Sequence, residues 1–330
     1  MLDCADFEAR APGDIAAFHD HEPPPADFHA AVIDGLSRSA KAIPCRFLYD
    51  DRGSALFDRI CELPEYYPTR TEMGILRDHA AEIAAAIGPD AQLIELGSGS
   101  CDKVGLLIDA LENPWGYAPI DISHDHLLAG ARRVQARYPR LWVEAVCADY
   151  AMQFDLPPNA GGGKRVAFYP GSTIGNLPPE DALRFLSMWT ERLRTGSLMI
   201  VGVDLRKSKL ILEAAYDDAQ GVTAQFSLNL LARANRELGM NFDLRQFEHR
   251  AVYDADRGRV RIDLVSLCMQ EVRLDRQIFS FAAGEALHVE DSWKYSIGDF
   301  QALARGAGFR PLEVWTDARN LFSVHLLAVG

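Results

Sequence analysis

Two patterns of apolar residues alternate along the middle of the chain. Short uninterrupted runs, Gln92 to Leu96, Trp115 to Ile120, Trp142 to Cys147, Arg165 to Tyr169 and Ser197 to Val203, read as strands buried on both faces. Between them, apolar residues recur at three- and four-residue steps. Val104, Leu107, Ile108 and Leu111 follow the first run; Leu127, Leu128, Ala131 and Val134 follow the second, behind Ser123 as a cap. A helix over Pro179 to Arg194 precedes the fifth run. The alternation predicts an α/β fold around a mostly parallel sheet.

Beyond Asp204 the alternation stops. Helices are expected over Leu210–Tyr216 and Gly221–Leu238, then a period-two segment in which Val260, Ile262 and Leu264 face away from Arg259, Arg261 and Asp263. Asp254 to Gly258 is the expected hairpin turn before it. The first pattern returns with a helix over Gly298–Ala307 and strands Pro311–Trp315 and Phe322–Val329, whose short connection makes them antiparallel neighbours. Toward the amino end, residues 1 to 25 are rich in acid, Ala and Pro and read as a flexible arm. Asp27 caps a helix with Ala30, Ile33, Leu36 and Ala40 on one face; Leu56, Phe57 and Ile60 are core of a second, and a third runs from Thr71 to Ile87. The predicted organisation is a sheet domain from residues 70–203 and 296–330, with a smaller α+β domain of helices and hairpin from 26–69 and 204–295 acting as a lid.

Candidate chemistry starts where the first run ends, in Gly97-Ser98-Gly99. By itself this is a strand-to-helix turn that needs no ligand. The second strand, however, ends in Asp121, about 20 residues on, where nucleoside-binding folds place the carboxylate that takes the ribose hydroxyls. Asp102 stands where a dinucleotide loop has its third glycine and would repel a pyrophosphate, which disfavours a nicotinamide dehydrogenase. A ligand carrying sulfonium and ammonium groups, S-adenosylmethionine, is compatible with it. The closing strand points the same way: a seventh strand inserted antiparallel marks the class I (Rossmann-like) methyltransferase sheet. At the third strand's end, Asp149 either accepts from an adenine amine, with Tyr150 flanking the ring, or caps its own turn. Asn176, beyond the fourth strand, lies where open α/β sheets gather reacting groups.

The net charge of -13 leaves no basic stripe for phosphates, so a nucleic-acid partner is not expected and a small-molecule substrate fits better. The six cysteines form no C-x-x-C pair or Cys/His cluster at metal-ligand spacing, so no metal and a cytoplasmic location with reduced thiols are expected. No apolar run is long enough to cross a bilayer. Tyr49, Tyr66 and Tyr67 lie at turn edges in an aromatic and charged segment, where each is either a half-buried structural tyrosine or a phenol offered to a ligand. Glu290 and Ser292, two apart, share a face if extended and could hold both ring nitrogens of an imidazole; otherwise Glu290 is a solvated charge and Ser292 a helix cap.

The segments YDDRGSALFDRICELPEYYPTRTE, ELGSGSCDK, PGSTIGNL, GVDLRKSKLILEAAYDDAQGVTAQF and VEDSWK together resemble the L-histidine N-alpha-methyltransferases of ergothioneine biosynthesis, over roughly residues 30 to 330. The resemblance implies a monomer that trimethylates the histidine amino group to hercynine with S-adenosylmethionine as donor. It implies Tyr66, Asn176 and Tyr216 at the substrate carboxylate, Tyr49 and Gly171 near the amine, and Glu290 with Ser292 at the imidazole. For the donor it implies Gly97, Lys103, Asp121, Asp149 and Tyr150, to which the loop adds Gly99. Relatives in the wider family act on a prenylated tryptophan, so an indole amino acid is the rival substrate. A catalytically inert binding module is the rival from another class.

Overall fold

A computed structural model of the chain describes residues 14–23, 27–99 and 101–330, the Asp102 side chain excepted. The chain divides into two compact units: Thr71–Leu205 and Tyr295–Gly330 with a short N-terminal stretch, and Arg206–Lys294 with the segment ending at Arg70.

The first unit is built on β1 (Ala17–Asp20), β2 (Gln92–Leu96), β3 (Gly116–Asp121), β4 (Trp142–Cys147), β5 (Arg165–Tyr169) and β6 (Leu198–Asp204). After five strands that belong to the second unit, it is completed by β12 (Phe309–Thr316) and β13 (Phe322–Val329). The sheet order is β1-β4-β3-β2-β5-β6-β13-β12, with β13 antiparallel to both neighbours and β1 to β6 parallel. This is the methyltransferase order with one strand more than the seven expected. The extra strand is β1, which pairs with β4 in the stretch expected to be a flexible arm. A four-residue strand with one exposed end carries too little pattern to announce itself. The rest of that arm, residues 1–13 and 24–25, lies outside the described residues.

Every residue of β2 is buried, as an apolar central strand covered on both faces must be. Ile83, Ile87, Leu107 and Leu127 from the flanking helices close over Leu93, Val143, Val166 and Leu326. Each such side chain contributes on the order of 2 kcal/mol by leaving water. The helix expected over Thr71–Ile87 is two, Pro68–Asp78 and Ala80–Ile87, parted at His79. Ser123 stands at its expected N-cap position, but its side chain makes no capping bond; Asp121 Oδ1 instead accepts from the Ser123 amide at 2.9 Å. The chain leaves this unit after Leu205 and re-enters at Tyr295, two residues joined by a parallel bridge.

The second unit holds a three-stranded antiparallel sheet, β7 (Phe247–Asp254), β8 (Arg259–Ser266) and β11 (Ala286–Trp293), in the order β11-β8-β7. The predicted turn joins β7 to β8, with Gly258 at φ +73°. A hairpin not read from the sequence, β9 (Gln270–Leu274) and β10 (Gln277–Phe281), follows. Asp27 caps the helix Phe28–Ser37 as expected, accepting from the Ala30 amide at 2.8 Å. Its buried face is Phe28, Val32, Gly35 and Leu36, rotated from the one expected because Gly35 lets the helix meet the Ala42 backbone closely.

Candidate active site

In the first unit, the carboxyl end of β2 opens into a loop whose backbone is set by three left-handed residues, Gly97 at φ +68°, Gly99 at +47° and Cys101 at +60°. Cys101 pays for this conformation with a strain of about 1–2 kcal/mol, the kind of local cost that persists where the surroundings hold it. The amides of Gly97 and Ser98 donate to Ile120 O at 2.9 and 3.2 Å, tying the loop to the end of β3. That end is Asp121. Its Oδ2 lies 3.5 Å from the Gly99 amide while Oδ1 takes the Ser123 amide, so two backbone donors fix the carboxylate beside the glycines. Ser98 Oγ is buried, with no hydrogen-bond partner among the described residues. A Cβ at Gly97 would lie 3.4 Å from the Tyr150 ring. A bare-backbone cradle, an unanswered hydroxyl and an oriented carboxylate fit the ribose and amino-acid ends of S-adenosylmethionine. The Asp102 side chain, used to argue against a pyrophosphate, lies outside the described residues.

Asp149 holds its own turn, with Oδ1 accepting from the Ala151 amide at 2.8 Å, and Tyr150 meets Tyr169 and Phe185 edge-on at 5.9 and 6.1 Å. The structure therefore supports the capping role of Asp149, which leaves its second oxygen to a ligand. Beneath the loop, Glu95 accepts from Tyr117 Oη at 2.5 Å, and burial lifts its carboxyl to about 8.

Gly171 follows β5 with φ +78°, and Ser172 behind it is also left-handed at +57°. The Gly171 amide donates to both carboxylate oxygens of Glu72, at 2.8 and 2.9 Å, and Lys103 Nζ donates to Glu72 Oε2 at 2.6 Å. Glu72 is fully buried. A Cβ at Gly202 would sit 1.9 Å from Glu72 Oε1, so the glycine in β6 makes room for this carboxylate. Sequence reasoning missed Glu72, which stands in a polar helix where nothing local marks it for burial. Asn176 ends the short 3-10 helix Thr173–Asn176, half-buried, with no side-chain hydrogen bond among the described residues.

In the second unit, β11 carries Glu290 and Ser292 on one face, with a register shift just before Glu290. Ser292 is in the strand interior; the following helix is capped by Ser296, whose Oγ accepts from the Asp299 amide at 3.1 Å, so the capping alternative for Ser292 is excluded. Ser292 Oγ and Tyr216 Oη lie 2.8 Å apart, and Lys294 Nζ donates to both, at 2.7 Å to Tyr216 and 2.8 Å to Ser292. Tyr66 meets the Tyr216 ring edge-on at 6.1 Å, and burial pushes its phenol well above the usual range. Tyr49, 40% exposed, packs edge-on against Phe57 and Phe226. Tyr67 is buried and accepts from Lys207 Nζ at 2.6 Å. Burial lifts the Glu290 carboxyl to about 7, against the pull of Lys294. Tyr66, Tyr216, Ser292 and Glu290 thus share one unit, while Gly171 and Asn176 belong to the other. Lys294 was missed as well: a lysine in VEDSWKYS reads as a surface charge, yet it is 1% exposed.

No helix among the described residues is long and apolar enough to cross a membrane, and none of their side chains cluster as a metal site. Over 301 residues the chain is 41% identical to the histidine N-alpha-methyltransferase of Mycolicibacterium smegmatis, an alignment covering 89% of this chain and 92% of that one. It is 39% identical to the protein of the same name from Mycobacterium tuberculosis, over 90% and 93% of the two chains. Against the 4-dimethylallyltryptophan N-methyltransferase of Aspergillus fumigatus identity falls to 26%, over 86% and 88%. The profile of the histidine-specific, S-adenosylmethionine-dependent methyltransferases matches residues 28–329, and the chain belongs to that family.

Proposed function

We infer that this enzyme methylates the α-amino nitrogen of L-histidine three times, forming hercynine as a step of ergothioneine biosynthesis. The observation that carries the substrate is the pairing of Glu290 with the Ser292 hydroxyl, two residues apart on β11. A carboxylate accepts the ring N–H, and a hydroxyl donates to the other ring nitrogen. An indole offers one N–H and no acceptor, so it would leave that hydroxyl unanswered in a desolvated pocket.

The remaining roles follow the chemistry of each group. Asp121 takes the ribose hydroxyls, Gly97 and Gly99 let the backbone approach, Tyr150 flanks the adenine, and the free oxygen of Asp149 accepts its amine. Lys103 offers donors beyond the one given to Glu72, suited to the donor's carboxylate. In the second unit Tyr66 suits the substrate carboxylate and Tyr49 the amine, with Tyr216 backing Ser292; in the first, Asn176 suits a carboxylate and Gly171 an amine. Bound S-adenosylmethionine supplies an electrophilic methyl on a good leaving group, so the protein contributes orientation and exclusion of water. As the nitrogen becomes a fixed cation, tyrosine faces stabilise it. The reading includes a monomer in the cytoplasm, a reducing compartment that suits five cysteines forming no disulfide among the described residues.

The test is mass spectrometry of purified enzyme with labelled donor and each common amino acid. Three labelled methyls on histidine and none on tryptophan are expected. Transfer to tryptophan in preference to histidine, or to neither, overturns the reading.

A further inference from the structure

Tyr216, Ser292 and Lys294 close a triangle with sides of 2.7 and 2.8 Å from the ammonium and 2.8 Å between the hydroxyls. One corner differs from the other two. An ammonium has three donors and no acceptor, so it must occupy a lone pair on each hydroxyl oxygen. With Tyr216 donating across the third side, both lone pairs of Ser292 Oγ are taken, one by Tyr216 and one by Lys294, and the Ser292 proton points out of the triangle. Without Lys294 the serine would keep a lone pair to offer; with it Ser292 faces outward only as a donor. Lys294 Nζ also sits 4.6 Å from the centre of the Tyr216 ring, which fixes that ring under the charge.

The same lysine acts on the carboxylate of this strand face. Glu290, Ser292 and Lys294 are spaced two apart, and Lys294 is the cation that opposes the effect of burial on Glu290. Among the described residues, Asp291 on its own strand also acts on Glu290, which in turn acts on Cys45, Tyr49 and Tyr66 from the first segment of the unit; all four are neutral or negative. Tyr216, whose hydroxyl accepts from Lys294, adds no positive charge. Lys294 is thus the one group in this set that favours the ionised carboxylate.

Resting on the assignment of histidine as substrate, we propose that Lys294 is the positioning residue of the imidazole grip: it turns the Tyr216–Ser292 pair into a donor and keeps Glu290 an acceptor. A donor beside an acceptor matches the neutral imidazole ring, with one N–H and one bare nitrogen. It mismatches the imidazolium, which has two N–H groups, and the indole, which has one N–H and no acceptor. Specificity for the uncharged histidine side chain is therefore set by a residue that need not touch it.

The experiment compares wild type, Lys294→Met and Lys294→Arg in two measurements on the full chain. The first needs no substrate: the Glu290 carboxyl is followed by 13C NMR in glutamate-labelled protein, assigned with Glu290→Gln. In Lys294→Met its titration should move up by about one pH unit, and Lys294→Arg should restore most of the shift. The second is kinetic. Lys294→Met should raise the KM for histidine at least about 10-fold while the KM for S-adenosylmethionine stays within about twofold, and its acid limb in kcat/KM should follow the NMR shift. Calorimetric binding of S-adenosylhomocysteine confirms that the variant is folded. An unmoved Glu290 titration overturns the proposal, as does a rise in both KM values together. A wild-type enzyme that ignores histidine would sink the functional assignment instead, while the NMR arm would still decide what Lys294 does to Glu290.

Discussion

The glycine loop of the first unit and the hydroxyl triangle of the second are both polar sites in apolar surroundings, built from opposite materials. Around the loop the contacts are mostly backbone: amides of Gly97 and Ser98 on Ile120 O, and amides of Gly99 and Ser123 around Asp121. Around the triangle they are side chain to side chain, between Tyr216, Ser292 and Lys294. A backbone site needs its residues close in sequence and small, so substitutions there act through shape. A side-chain site draws on residues far apart, so substitutions act through charge and protonation. Each unit also buries a carboxyl lifted from its ordinary range, Glu95 beside a tyrosine and Glu290 beside a lysine.

The sharpest break in that comparison is Glu72, a side chain on which the backbone site depends. Glu72→Ala would strip the Gly171 amide and Lys103 of their shared acceptor and is expected to cost on the order of 3 kcal/mol, read from urea unfolding; a change under about 1 kcal/mol would show the carboxylate to be dispensable. Next is Asp121→Ala, expected to weaken S-adenosylhomocysteine binding about 100-fold in calorimetry with the urea midpoint little changed. Equal losses of stability and affinity would mean that Asp121 serves the loop rather than the ligand. Glu290→Ala should raise the KM for histidine about 10-fold and leave that for S-adenosylmethionine nearly alone; equal rises in both would remove the imidazole assignment.

Stability should also depend on pH through the other buried carboxyl of the first unit. The Glu95 carboxyl is lifted by burial from 4.5 to about 8, so between those values the unfolded chain has released a proton that the folded one keeps. Folding stability from this group is full below its unfolded pKa and declines as pH rises through that window. Glu95→Gln cannot lose it. The melting temperature of wild type should therefore fall relative to the variant from about pH 5 to about pH 8 and run parallel above, by differential scanning calorimetry. Parallel curves throughout would show that Glu95 is ionised at neutral pH.

The same contrast explains what could be read from the chain. Trp142–Cys147, Arg165–Tyr169 and Phe322–Val329 were legible to the residue, because a strand covered on both faces must be an apolar run and such runs are local. The loop and Asp121 were legible for the same reason. Ser292 was read from its two-residue spacing to Glu290, Tyr216 entered through resemblance to a family, and Lys294 and Glu72 did not enter at all. Their burial is decided by partners 78 residues away for Lys294 and 31 and 99 residues away for Glu72, and a charged residue carries no local sign that such partners exist. The hairpin of β9 and β10 escaped because its strands, five residues each, alternate too briefly to stand out.

The bridge between Leu205 and Tyr295 has a consequence for how such a protein can change. The long excursion between them starts and finishes at adjoining points of the sheet, so lengthening, shortening or re-sequencing it imposes no strain on strand register. A lineage could therefore remodel that excursion freely and keep the glycine loop and Asp121 untouched.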